Sequence, residues 1–149
     1  MSPLLGHVLA ESACLQSYIA ALEAEDQALL QGRIDDLPAI AERKTGILSR
    51  IAALDQEREA AQAALGLPAG RAGAERAAQA SEPLARAWTA LLAHAHRARE
   101  LNRRVAAKVY THLDFTRNAL LFLQSRGQPL YGRDGTRSAP ARGSSLALG

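Results

Sequence analysis

Apolar residues recur at helical spacing along the first 126 positions. In residues 3–31, Val8, Leu15, Leu22 and Leu29 return every seven residues, with Leu5 and Ile19 beside them. That stripe predicts an amphipathic helix. Gly32 interrupts it, and the stretch GRIDDLP follows. Asp35 or Asp36 can cap a second helix with Pro38 in its first turn, so a helix is expected over 36–65. Its stripe is Leu37, Ile40, Lys44, Ile47, Ile51, Leu54, Arg58, Ala61 and Leu65, stepping by threes and fours as a heptad seam does. Lys44 and Arg58 lie on that seam. Long cationic side chains can rest their stems on apolar surface and keep the charge in water, which predicts a partly covered seam. Gly66 and Pro68 stop the helix.

Residues 66–80, GLPAGRAGAERAAQA, read as a Gly- and Ala-rich connector in which the chain reverses. Ser81 can cap a third helix, with Glu82 and Pro83 in its first turn, and no breaker occurs before Gly127. A helix over 81–126 would be about 70 Å long at 1.5 Å per residue. Its heptad positions are Leu84, Trp88, Leu91, Ala95, Ala98, Asn102, Val105, Val109, His112, Thr116, Ala119 and Leu123. The ends are aliphatic and the middle is alanine with Asn102, where a second helix could approach closely and a polar residue could set register. The expected fold is all-α: an elongated antiparallel helical hairpin or three-helix bundle over residues 1–127, with one long C-terminal helix. Residues 128–149, QPLYGRDGTRSAPARGSSLALG, are a different kind of sequence. They cannot bury enough apolar surface to offset their ordering entropy and are expected to be a flexible, disordered tail.

Composition agrees with helices. The chain is rich in Ala and Leu and holds only two Phe, three Tyr and one Trp, so its core should be thin. The net charge of +3 is unevenly distributed. Residues 1–65 carry 5 Lys and Arg against 10 Asp and Glu, whereas residues 81–126 carry 8 against 3. Attraction between packed segments accounts for this split; nucleic-acid binding by the basic third helix is the sharper alternative. The single cysteine, Cys14, excludes an intrachain disulfide and reads as a small apolar residue. The N-terminus lacks the basic and long apolar parts of a signal peptide, and no apolar run approaches the roughly 20 residues that span a bilayer. The expected location is cytoplasmic.

Nothing in this pattern reads as catalysis. His94 and His96 are two apart, so on a helix they diverge by about 200° and cannot chelate one metal; His112 and Asp114 share that problem, and His7 is isolated. Gly66, Gly70 and Gly73 lack the strand and the Lys-Ser/Thr of a phosphate cradle. Carboxylates such as Glu23, Glu25 and Asp26 sit in helical charge runs. No metal, cofactor or enzyme activity is expected. Arg97, Arg99, Arg103, Arg104 and Lys108 spread around the third helix without interleaved aromatic residues, unlike a single-strand-binding surface. Its apolar positions hold Ala and Asn where a membrane helix would place large residues.

Three stretches resemble the FlgN family of flagellar export chaperones. The first runs from Ala28-Leu29 through Asp35, Leu37, Ile40 and Lys44 to Ile47-Leu48, Leu54 and Arg58. The second is Trp88 with Leu91-Leu92, then Glu100-Leu101-Asn102. The third, the most specific, is Leu120 and Leu123, then Leu130-Tyr131-Gly132 and Asp134-Gly135 leading into the Ser/Gly/Arg tail. Where family members often carry a second Asn-Gly pair, this chain has Arg104-Val105-Ala106. The resemblance implies a cytoplasmic, non-enzymatic chaperone that binds the C-terminal helical ends of hook–filament junction proteins and delivers them to the export apparatus. The candidate cargo anchors are Val109, Leu113, Leu120, Leu123, Leu130, Leu146 and Leu148. Tyr131, beyond the helix end, is the candidate anchor for the flagellar export gate. From the residues alone, self-association through the Leu37–Leu65 seam remains an alternative, with nucleic-acid binding a third; no nucleic-acid partner and no membrane insertion are expected.

Overall fold

The structure, a computed structural model, describes residues 2–127. Among these residues the fold is all-α, with four helices: α1 (Pro3–Leu30), α2 (Leu37–Ala64), α3 (Gly70–Gln79) and α4 (Glu82–Gly127), plus a 3-10 turn at Ile34–Asp36. The chain divides into two units, Met1–Lys108 and Val109–Gly149.

The helix ends follow from local chemistry. The Ser2 hydroxyl accepts the Leu5 N–H at 3.1 Å, and Pro3 occupies the first turn of α1, where its missing N–H costs nothing. At the other end Gly32 takes φ 70°, with Gly32 N–H donating to Leu29 and Arg33 N–H to Ala28. Gly66 repeats the motif after α2 at φ 74°, its N–H donating to Ala63 and the Leu67 N–H to Gln62. Both are left-handed C-terminal stops that favour glycine. The side-chain cap expected from Asp35 or Asp36 does not form. Asp36 instead pairs with Arg33 at 3.3 Å. Ser81 does cap α4, its hydroxyl accepting the Leu84 N–H at 3.3 Å.

The connector expected over 66–80 holds α3, so the described chain has four helices rather than three. Its alanines favour helix, and two side chains of α2 fix its start. Both oxygens of Glu59 accept the Gly70 N–H at 3.0 Å, placing a carboxylate at the positive end of α3. The Gln62 amide donates to the carbonyls of Pro68 and Gly70 at 2.9 and 3.1 Å. At Gly73 a Cβ would collide with the Pro68 carbonyl oxygen, so α3 packs against its own entry loop only because that position has no side chain.

In the first unit α2 runs antiparallel to α1, and the α4 segment runs antiparallel to α2. Leu4 and Val8 of α1, Ala74 of α3, and Leu84, Ala87, Trp88 and Leu91 of α4 form the main core. Further along, Tyr18, Ala21, Leu22 and Ala28 are buried on α1, and Ala98, Leu101 and Val105 on α4. Leu101, not Asn102, is the buried residue of its turn. A strict seven-residue repeat drifts by about 20° per heptad on a straight helix, which carries the packed stripe past Asn102 onto Leu101.

The cations on the α2 seam are also placed differently from the expectation. Arg58 is 6% exposed, and its guanidinium donates to Glu11 at 2.8 Å, Gln62 at 2.5 Å and Asp55 at 2.5 Å. It also lies over the Trp88 ring, 5.3 Å from the centroid. Lys44 reaches Glu25 at 2.7 Å. Both are bridges inside the fold rather than side chains laid along a wet seam. Burial pushes the Glu11 carboxyl above its ordinary value, against the opposing hydrogen bond and charge of Arg58. Burial pulls on Arg58 in the other direction, but the Glu11 and Asp55 carboxylates more than offset it and raise the guanidinium pKa. Asp26–Lys108 at 2.5 Å and Glu23–Arg97 at 3.9 Å join acidic α1 to basic α4. Part of the charge split is thus neutralised by packing.

Candidate functional site

From Val109 onward, described residues of the second unit are a single helical stretch whose large apolar side chains are exposed. Leu113 is 59% exposed, Leu120 54% and Leu123 62%, while Val109 is half-buried. At 100° per residue these four fall within an arc of about 80°, one apolar stripe. The remaining candidate anchors, Leu130, Leu146 and Leu148, and the candidate gate anchor Tyr131, lie outside the described residues, as does the tail expected to be disordered.

The structure adds residues that the single-stripe reading missed. Tyr110 and Leu121 lie roughly 100–120° from the centre of the stripe on one side, and Phe115 and Phe122 roughly 120–140° from it on the other. All four side chains are exposed, Phe115 by 70%. The signal was present in the sequence as the seven-residue step from Phe115 to Phe122, but that step lies off the heptad positions carried down from Leu84. The polar groups between them bond locally: Asn118 donates to Asp114 at 3.5 Å and the Ser125 hydroxyl to the Phe122 carbonyl at 2.9 Å. Apolar residues here cover more than one face of the helix, whereas a solvated helix would carry polar groups there.

Elsewhere the histidines and the cysteine form no reactive cluster. His7 faces Glu57 at 3.7 Å and His96 faces Glu100 at 3.5 Å, each a single pair. The Cys14 thiol donates to the Ile47 carbonyl at 3.8 Å, and burial raises its pKa, so it lacks the lowered pKa of a reactive thiolate. Among the described residues no cluster of His, Cys, Asp and Glu could hold a metal ion. No described helix is long and apolar enough to cross a membrane.

A helical chain with a packed first unit and an uncovered apolar helix has the parts of a binding protein. The FlgN protein family matches it over residues 1–139, most of its length. The chain belongs to the FlgN family. No curated protein and no solved structure is significantly similar to it. Members of the FlgN family are cytoplasmic, non-enzymatic chaperones for flagellar hook-associated proteins, and they also bind the export apparatus. This FlgN-family chain is therefore a flagellar export chaperone, with hook-associated proteins as its cargo. On the Leu37–Leu65 seam, the alternative for self-association, Leu54 and Arg58 are buried inside the first unit, whereas Leu37, Ile40, Ile47 and Ile51 are half-buried and Leu65 is exposed.

Proposed function

We propose that the stripe formed by Val109, Leu113, Leu120 and Leu123 is the cargo-binding surface of this chaperone, and that it takes the C-terminal helical ends of hook-associated proteins. The exposure of Leu113, Leu120 and Leu123 on one helical face carries the reading. Cargo ends that pair with one another after assembly present apolar helical stripes beforehand. A chaperone helix with its own stripe covers them reversibly, by the helix-in-groove mode read as anchors three, four and seven apart. Tyr110 and Phe115 extend the contact area around the same helix. Leu130, Leu146 and Leu148 are secondary anchors in this reading, and Tyr131 is the docking residue for the export gate.

Replacing Leu113 and Leu120 together by Asp tests the stripe. Calorimetry with a hook-associated protein should show affinity falling at least ~100-fold, as expected when central apolar anchors are lost. Affinity unchanged by both substitutions would remove the stripe from the site. Deleting residues 128–149 measures the tail anchors separately: a smaller loss, with a smaller heat-capacity change on binding, supports Leu130, Leu146 and Leu148. Tyr131→Ala should weaken binding to the gate and leave cargo affinity intact; equal loss of both would contradict its assignment.

A further inference from the structure

The first unit carries a surface that cargo binding on the distal helix does not use. Along one side of the antiparallel α1–α2 pair runs an open groove of about 710 Å³. Ala10, Ala13, Cys14 and Ser17 line it from α1, and Gly46 from α2 with the aliphatic Ile47 and Leu54 beside it, so small residues occupy much of its floor. Small side chains at a helix contact let a third helix approach at the short end of the roughly 8–10 Å range of helix packing. Arg43 and Arg50 line the same groove from α2. They are seven residues apart, two turns or about 10 Å along the helix axis.

Those two arginines are unlike the other Lys and Arg side chains of residues 1–65. Lys44 holds Glu25, Arg58 holds Glu11 and Asp55, and Arg33 holds Asp36. Arg43 and Arg50 are exposed and make no ion pair or hydrogen bond among the described residues. No carboxylate lines the groove, although residues 1–65 carry twice as many acidic as basic groups. The surface thus combines a floor of small and aliphatic residues with two arginines that make no ion pair among the described residues, within a half-chain of opposite net charge. We propose that this groove docks an acidic amphipathic helix of a partner protein, one with small apolar residues on its inner face and carboxylates two turns apart that pair with Arg43 and Arg50. The occupant is defined by charge complementarity at that spacing and by the room above Gly46. Guanidinium groups suit carboxylates because their planar fork can donate two parallel hydrogen bonds. No aromatic side chain lines the groove to stack a base, which disfavours nucleic acid.

Gly46 makes the proposal testable without disturbing the fold, because a Cβ there would meet nothing within 4 Å. Full-length protein is titrated by calorimetry with two synthetic Ala/Leu helical peptides, one carrying glutamates two turns apart and one carrying lysines there. The glutamate peptide should bind 1:1, and more weakly as salt is added. Arg43→Glu/Arg50→Glu should weaken it by at least about tenfold and create binding of the lysine peptide, since like charges across an interface repel. Gly46→Leu should weaken the glutamate peptide by a similar factor while keeping or raising the melting temperature, because leucine favours helix over glycine. No binding of the glutamate peptide, or equal binding to all three proteins, overturns the proposal. So does its displacement by duplex DNA that itself depends on Arg43 and Arg50. Sedimentation showing that a second copy of the chain already fills the groove would also overturn it.

Discussion

Residues 84–105 and residues 109–123 belong to one helix and have similar apolar content, yet their large side chains meet opposite fates. In the first stretch Leu84, Trp88, Leu91, Leu101 and Val105 are buried. In the second Tyr110, Leu113, Phe115, Leu120 and Leu123 are all more than half exposed. Burial in the first stretch is secured by packing partners on α1 and α3 and by the Arg58–Glu11 bridge over Trp88. Apolar periodicity alone therefore does not separate core from binding surface; what separates them is whether the fold supplies a partner for the stripe.

This contrast can be broken at several points. The largest effect is expected at Arg58. Arg58→Leu leaves Glu11 buried without its cation and should cost about 3–5 kcal/mol in denaturant unfolding, whereas replacing Glu11 and Arg58 together by leucines should recover much of that. Next is Leu101→Ala, which empties a nearly closed site and should cost about 2–5 kcal/mol, against a change within about 0.5 kcal/mol for Leu120→Ala. Equal costs would erase the distinction between the two stretches. Gly73→Ala should destabilise by about 1–3 kcal/mol because α3 must move off the Pro68 carbonyl. A melting temperature equal to that of the native chain would show that α3 yields freely.

The smallest effect is in pH. The folded Glu11 pKa is raised above the ordinary 4.5 by burial, so the folded state holds this proton more tightly than the unfolded chain. Its contribution is fully present below the unfolded value and is lost as pH rises through the folded value. The native chain should therefore lose stability relative to Glu11→Gln as pH is raised from 4.5 through that window, then run parallel to it. A native chain that gains stability relative to Glu11→Gln as pH rises towards 4.5 would place the folded Glu11 pKa below that value and make its pairing with Arg58 the dominant influence.

The three long helices were legible because Val8, Leu15 and Leu22, then Ile47, Ile51 and Leu54, then Leu84, Trp88 and Leu91 all keep helical period. Gly32 and Gly66 marked the stops because left-handed C-terminal caps favour glycine. α3 was not legible, since its stability depends on Glu59 and Gln62 reaching across from α2, and no local pattern encodes that. Arg58 misled for the same reason: a cation on an apolar seam reads as a snorkelling side chain until its acidic partner, 47 residues away on α1, is known. At the candidate site the Leu113–Leu123 stripe could be read from spacing and Phe115 left a trace in its seven-residue step to Phe122, whereas Tyr110 left none, because exposure is not a property of spacing.

The central claim is that the distal half of α4 is left bare for cargo. Hydrogen exchange on the full-length chain, alone and saturated with a hook-associated protein, tests it most directly. Slowed exchange across residues 109–123, with residues 84–105 unchanged, is the expected result. Protection confined to the first unit, or none at all in residues 109–123 once the complex has formed, would contradict it.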